Sequence, residues 1–100
     1  MSDLTLAKTI LSQLGGNRFI IMTGAKKLVG NESGLAFRIG RNKTRINHVL
    51  IRYNHGKDLY EMTFTYVFKT GFKELAKYDD VYAEDLVRLF EETTGLATKL

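Results

Sequence analysis

The fold is decided by the stretch Tyr60-Glu61-Met62-Thr63-Phe64-Thr65-Tyr66-Val67-Phe68. Large apolar or aromatic side chains occupy every second position, and most positions between them carry Glu or Thr. Successive side chains of a β-strand point to opposite faces of the sheet, so this alternation is typical of a strand that packs one face on a core. The stretch predicts a long strand, and the other elements are placed outward from it.

Four shorter stretches of strand character lie around this strand. They are residues 19–23, 35–39, 49–53 and 72–78. Short segments containing Gly or Asn separate them, and these residue types favour tight turns. Connections of this length cannot carry the chain back across a sheet, as parallel pairing requires. The sequence therefore predicts a five-stranded antiparallel meander, a sheet in which each strand pairs with the next.

A helix is predicted before the sheet, over residues 3–14. Its apolar side chains recur at three- and four-residue spacing, which places them on one face of a helix. Gly15 and Gly16 are expected to end it, since glycine readily adopts the left-handed conformation that closes a helix.

A second helix is predicted after the sheet. Asp79 and Asp80 are expected to open it, because carboxylates accept hydrogen bonds from the first N–H groups and favour the positive end of the helix dipole. Gly95 is expected to end it. The predicted inner face consists of Tyr82, Leu86, Leu89, Phe90 and Thr93.

Together these elements predict the fold class α+β, with the order αβββββα. A five-stranded antiparallel meander is flanked by an N-terminal and a C-terminal helix, both on one face of the sheet. One hundred residues, of which 44% are hydrophobic and 26% charged, fit a single globular domain over residues 1–100.

Charge is distributed unevenly along the chain. Residues 33–57 contain no Asp or Glu but six Lys or Arg, whereas residues 79–100 contain six acidic residues and two basic ones. We expect a basic patch around residues 41–45, and phosphate groups bind such clusters of cations. The candidate residues for binding a partner or nucleic acid are Arg38, Arg41, Lys43, Arg45 and Arg52. Three interpretations stay open: a solvated charged hairpin, a nucleic-acid surface, or a surface for an acidic protein.

The sequence offers little catalytic or metal chemistry. It has no cysteine, which excludes thiolate nucleophiles and Cys-ligated zinc. His48 and His55 are the only histidines, and a metal site needs three or four convergent ligands. Gly24 and Lys26 lack the glycine spacing of a nucleotide-binding phosphate loop. We therefore expect no enzyme, no cofactor and no metal; the remaining enzymatic hypothesis is a small anionic substrate at Lys26 and Lys27.

The sequence also bears on location and assembly. No apolar run approaches the roughly 18 residues that a membrane helix needs, so we expect no membrane association and a cytoplasmic location. The uncharged residues 19–23 are predicted to form the sheet edge through which any dimer forms. Lys69, Lys73 and Lys77 are predicted to share one face of the last strand, where their repulsion opposes pairing. We expect a monomer or a weak homodimer made through the N-terminal half.

A series of short motifs along nearly the whole chain resembles a family of small proteins. The N-terminal motifs are Gln13-Leu14-Gly15-Gly16-Asn17-Arg18-Phe19 and Met22-Thr23-Gly24-Ala25-Lys26. The central motifs are Arg41-Asn42-Lys43, Ile46-Asn47-His48-Val49 and Asp58-Leu59-Tyr60. The C-terminal motifs are Val81-Tyr82-Ala83-x-Asp85-Leu86 and Thr94-Gly95-Leu96-x-Thr98-x-Leu100. In this order they resemble a family of proteins, of about this length, encoded by bacteriophages, prophages and other mobile elements.

The resemblance implies a genetic context, a phage or mobile element in a bacterial cytoplasm, and brings no catalytic residue or cofactor with it. Small non-enzymatic phage proteins commonly bind a host component, and inhibitors of host defence such as anti-CRISPR proteins are often of this size. The first hypothesis is therefore an accessory protein that binds a host protein or nucleoprotein. The alternative is a protein that binds nucleic acid directly through the basic segment 38–52.

Overall fold

The computed structural model describes residues 4–98, and its elements follow the predicted order. They are α1 (Thr5–Leu14), α2 (Asn17–Thr23), β1 (Lys26–Gly30), β2 (Gly34–Arg38), β3 (His48–Asn54), β4 (Leu59–Phe68), β5 (Gly71–Val81), a 3₁₀ turn (Ala83–Asp85) and α3 (Leu86–Thr94). Each strand pairs antiparallel with the next, in the spatial order β1-β2-β3-β4-β5. The predicted α+β class and five-stranded meander are confirmed.

The alternation in the strands places one face of the sheet on the core. The buried strand residues of this face include Leu35, Phe37, Val49, Ile51, Met62 and Phe64. The same cluster contains Ala7, Ile10 and Leu14 of α1 and Leu86 and Phe90 of α3, so both helices cover this face. The opposite face carries Ala36, Leu50 and Thr63, which are only half-buried, and no helix contributes to it in the described part of the chain.

The prediction of a strand over residues 19–23 is wrong, because these residues form α2. The Phe19 side chain is fully buried, whereas Ile21 is 77% exposed, and two residues of that spacing would share a face in a strand. The Phe19 ring lies 5.4 Å from Phe37 and 5.1 Å from Phe90, both edge-on. Aromatic packing of this kind outweighs the strand preference of the β-branched isoleucines. The first strand of the meander is instead β1.

The prediction that Asp79 and Asp80 open the last helix is also wrong. Strand β5 continues to Val81, so both carboxylates lie in the strand, and α3 begins only at Leu86. Tyr82 is 58% exposed and does not belong to the inner face of the helix. The C-terminal prediction is confirmed: Gly95 has a φ of 76° and its N–H bonds to the Glu91 carbonyl oxygen at 2.9 Å.

The lysines of the last hairpin do not share one face of the sheet. Lys69 lies in the turn between β4 and β5. Lys73 is opposite Tyr66 and Lys77 is opposite Thr63, two positions of different parity on β4. The pairing shifts between Phe64 and Thr65, and this irregularity reverses the faces of the β5 residues beyond it. The predicted row of three lysines is therefore wrong.

One glycine is required by the packing of the sheet. A Cβ atom on Gly34 would lie 1.9 Å from the Ile51 carbonyl oxygen, so no larger residue fits between β2 and β3 here. Within residues 4–98, no helix has both the length and the apolar character to cross a membrane.

Candidate nucleic-acid interface

The antiparallel order of the strands brings charged side chains together at each of the two ends of the sheet. One end, here the basic end, carries the start of β1, the segment 39–47 between β2 and β3, and the turn between β4 and β5. Its basic residues are Lys26, Lys27, Arg38, Arg41, Lys43, Arg45, Lys69 and Lys73. Among the strands and their connections, one acidic residue, Glu74, lies at the basic end.

The opposite end of the sheet, here the acidic end, has the reverse balance. It carries the turns between β1 and β2 and between β3 and β4, together with the end of β5. Its acidic residues are Glu32, Asp58, Glu61, Asp79 and Asp80, and its basic residues are Arg52, Lys57 and Lys77. Charge that is segregated in sequence is thus also segregated along the strand direction.

Four of the five candidate residues from the sequence lie at the basic end. Arg38 ends β2, and Arg41, Lys43 and Arg45 lie in the segment 39–47. Arg52 is opposite Gly34 and Glu61, four residues beyond His48 on β3, which corresponds to about 13 Å along the strand. The structure therefore groups the first four and places Arg52 apart from them.

Hydrogen bonds of Asn42 fix the shape of the segment 39–47. Its Nδ2 donates to the carbonyl oxygens of Gly40 at 3.0 Å and Ile46 at 2.6 Å. Its Oδ1 accepts from the backbone N–H of Thr44 at 3.0 Å and also from the Thr44 hydroxyl. The turn that presents Arg41, Lys43 and Arg45 is therefore held in shape by hydrogen bonds of its own side chains, mainly those of Asn42.

Two further contacts attach this segment to the rest of the fold. The Gly40 N–H donates to the Thr23 carbonyl oxygen at 2.8 Å, where the C-terminal end of α2 approaches the segment. The Asn47 side chain bonds to the backbone of Val67 on β4, at 2.7 Å through Oδ1 and 2.8 Å through Nδ2. Buried Ile39 and Ile46 complete the attachment. The basic segment is thus held at both ends against a helix and a strand.

A cleft of about 440 Å³ lies between this segment and β4. It is lined by Ile39, Gly40, Arg41, Asn42, Arg45, Ile46, Asn47 and Tyr66. The Tyr66 ring is half-buried and lies 5.4 Å from the ring of Phe68, which is 41% exposed. Two arginines and an aromatic residue, Tyr66, therefore line the same cleft.

The uncovered face of the sheet continues the basic end. Lys26, Arg38 and His48 are successive cross-strand neighbours on β1, β2 and β3. Burial, and secondly the charge of Arg38, lower the pKa of His48 below its ordinary value of 6.5. His48 is therefore neutral near pH 7, so Lys26 and Arg38 supply the positive charge of this row.

No protein-family model, curated protein or solved structure matches this chain.

The cations of the basic end are not neutralised by neighbouring carboxylates. The ion pairs within residues 4–98 are Lys57–Asp80 at 3.1 Å, Arg88–Asp85 at 3.3 Å and Arg88–Glu92 at 3.4 Å. All three lie outside the basic end, and the same part of the chain contains no group of three His, Asp or Glu residues that could hold a metal ion. The basic end is therefore suited to binding an external anion.

Sequence reasoning missed part of the basic end. Tyr66, Phe68 and Phe72 were expected in the core alternation or in the last strand, yet Phe72 is 74% exposed and Tyr66 lines the cleft. Lys69 and Lys73 lie far along the chain from segment 39–47 and join it only through the meander. The sequence contained one signal that these residues extend beyond the core. A strand over residues 60–68 is longer than the stretch of sheet that two short helices can cover.

Proposed function

We propose that this protein is a non-enzymatic accessory protein of a phage or mobile element that binds nucleic acid, free or within a host nucleoprotein, in the bacterial cytoplasm. The observation that carries the proposal is the grouping, among the strands and their connections, of eight basic residues with one carboxylate at the basic end. The resemblance in sequence motifs supplies the genetic context.

The physical basis is the release of counterions from the phosphate backbone. Each phosphate that a Lys or Arg neutralises frees condensed cations, so affinity is strong at low salt and falls steeply as salt increases. The cations at the basic end have no ion-pair partner in the described chain, so binding breaks no existing salt bridge. The segment 39–47 is held in shape by Asn42 and Asn47, so little conformational entropy is lost when it binds.

The proposal is tested by fluorescence anisotropy with a labelled oligonucleotide between about 50 and 200 mM salt. The variant Arg41→Ser/Lys43→Ser/Arg45→Ser is expected to bind more weakly and to show a salt dependence shallower by about one unit of slope per lost phosphate contact. The matched control is Lys8→Ser/Arg18→Ser/Lys77→Ser, which removes the same charge from exposed positions away from the basic end. Absence of binding at low salt, or equal losses in both variants, would refute the proposal.

A second candidate function is docking on a host protein, as an inhibitor of host defence such as an anti-CRISPR protein does. The observation in its favour is the opposite charge of the two ends, since a nucleoprotein presents anionic phosphates beside basic protein surfaces. The acidic end would then contact the protein while the basic end contacts the nucleic acid.

A pull-down from bacterial lysate separates the two candidates. A host protein recovered after nuclease treatment, and lost with the variant Asp79→Asn/Asp80→Asn, supports protein docking. Recovery that disappears with nuclease supports nucleic-acid binding alone. Asparagine is chosen for the variant because its side chain tolerates the left-handed conformation of residue 80, whose φ is 55°.

A further inference from the structure

We infer that the cleft between segment 39–47 and β4 binds an unpaired segment of nucleic acid, with a base against Tyr66 and the adjoining phosphates on Arg41 and Arg45. The inference rests on the proposed function and names its substrate class. It is carried by the composition of the cleft, which places an aromatic ring beside two arginines that have no ion-pair partner among residues 4–98.

The size and chemistry of the cleft fit a nucleotide. Its volume of about 440 Å³ lies within the range of small-ligand sites, about 300–1,000 Å³. A base has an apolar face that stacks on an aromatic or guanidinium plane, and its phosphate accepts hydrogen bonds from arginine. The side-chain amides of Asn42 and Asn47 are already bonded to the backbone, so the groups left to contact a ligand are mainly those of Arg41, Arg45 and Tyr66.

The aromatic surface extends beyond the cleft. Phe68 lies beside Tyr66 with its ring tilted by 41°, and Lys73 is the cross-strand neighbour of Tyr66 on β5. A strand that leaves the cleft therefore meets a second exposed ring and a further cation. Alternating rings and cations of this kind are the usual surface for single strands, whose bases are free to stack on side chains.

A duplex does not satisfy the same groups. Its bases are stacked on one another, so it can use the cations of the basic end but not the Tyr66 ring. An acidic polypeptide likewise uses the cations and offers no planar ring system to stack on Tyr66. Stacking on Tyr66 is therefore the contact that distinguishes an unpaired nucleic acid from other polyanions.

The test compares a labelled oligo(dT) of about 15 nucleotides with a duplex of the same length, near 50 mM salt. The parent protein is expected to bind oligo(dT) more tightly than the duplex. Tyr66→Leu keeps an apolar side chain and removes the ring, and it is expected to lower oligo(dT) affinity by about 5- to 150-fold, the range to which the loss of one base-stacking contact corresponds. Its effect on duplex binding is expected to be small.

Two controls separate stacking from structural damage. Tyr66→Phe keeps the ring and is expected to retain tight oligo(dT) binding. Tyr82→Ala removes an aromatic ring that is more exposed than Tyr66 but lies outside the basic end, and it is expected to leave binding unchanged. Circular dichroism checks that each variant is folded.

The outcomes that refute this inference differ from those that refute the proposed function. If neither oligonucleotide binds, the proposed function fails and the inference fails with it. If the duplex binds as tightly as oligo(dT), or if Tyr66→Leu leaves oligo(dT) binding unchanged, the inference alone is refuted. Polyglutamate that displaces oligo(dT) at equal charge concentration would also refute it, because the site would then bind polyanions by charge only.

Discussion

The side chain of Asn47 makes both backbone hydrogen bonds of Val67. Its Oδ1 accepts from the Val67 N–H at 2.7 Å and its Nδ2 donates to the Val67 carbonyl oxygen at 2.8 Å. Strand β3 begins only at His48, so this amide takes the place of a strand residue and continues the pairing beside β4. The contact links the segment that carries Arg41, Lys43 and Arg45 to the strand that carries Tyr66.

Replacing Asn47 should therefore destabilise the protein. In Asn47→Ala, both polar backbone groups of half-buried Val67 lose their partner, and the free energy of unfolding is expected to fall by about 1–3 kcal/mol. Asn47→Asp keeps the acceptor oxygen but cannot donate, so its loss is expected to be as large or larger because a carboxylate then faces the Val67 carbonyl oxygen. Urea denaturation measures both values.

The matched control is Asn17→Ala, at an exposed position at the start of α2. It is expected to change the free energy of unfolding by no more than about 0.5 kcal/mol. An Asn47→Ala protein as stable as the parent would contradict the structural role of this side chain.

The helical form of α2 leads to a second prediction. Phe19 is fully buried among Phe37 and Phe90, so Phe19→Ala is expected to lower the free energy of unfolding by about 3–5 kcal/mol. Ile21 is 77% exposed, so Ile21→Ala is expected to change it by about 0.5 kcal/mol or less. Urea denaturation of the two variants distinguishes a helix from a strand, in which both side chains would share one face. Similar losses in both would contradict the helix.

These two residues also show why the sequence misassigned the segment. Residues 19–23 form a short apolar run rich in isoleucine, and such a run has no period long enough to separate a helix from a strand. The choice was made by packing between elements distant in sequence, since Phe37 and Phe90 surround Phe19. The long alternation of residues 60–68 had no such ambiguity, and the strand there was predicted correctly.

Part of the candidate site could be predicted from the sequence. Arg38, Arg41, Lys43 and Arg45 are close in sequence, so their grouping needed no knowledge of the sheet. Lys73 and Tyr66 join them through strand register, and the pairing shift between Phe64 and Thr65 sets which face each β5 residue takes. Alternation alone cannot reveal such a shift, because it assumes an unbroken period of two.

His48 is expected to make stability depend on pH. Burial and the charge of Arg38 lower the pKa of His48, so the unfolded chain takes up this proton at a higher pH than the folded protein does. The stability contribution of the neutral ring is complete above about pH 6.5, and it decreases as the pH falls through the lower pKa of the folded state. Cross-strand neighbours Arg38 and Thr65, with Lys26 and Glu74 one strand further away, form its surroundings.

The measurement is the free energy of unfolding between pH 7.5 and pH 5, a range that extends about 1 unit above and about 1.5 units below the ordinary histidine pKa. His48→Gln is expected to lose less stability on acidification than the parent, because it cannot take up the proton. Arg38→Gln is expected to give an intermediate dependence, since burial of the ring remains. Parallel curves for the parent and His48→Gln would show that the pKa of His48 is the same in the folded and unfolded chains.

We still expect a monomer or a weak homodimer, and this expectation depends on the two edge strands of the sheet. The edge through which we expected a dimer does not exist, because residues 19–23 are helical. Strand β1 is short, its pairing is irregular between Lys26 and Val29, and both features disfavour the addition of another strand. Strand β5 has eleven residues and pairs only with β4, so it is the longer available edge.

Charge is expected to limit pairing at the β5 edge. Lys73 and Lys77 lie on opposite faces of the sheet, so a second copy that paired along β5 would bring lysines close to lysines on both faces. Lys73→Thr/Lys77→Thr is therefore expected to self-associate more strongly than the parent in sedimentation velocity experiments across micromolar concentrations. Lys8→Thr/Arg18→Thr, which removes the same charge from α1 and α2, is expected to sediment like the parent. A parent protein that forms a tight dimer unaffected by either pair of substitutions would contradict this account, since neither charge repulsion nor the β5 edge would then govern its assembly.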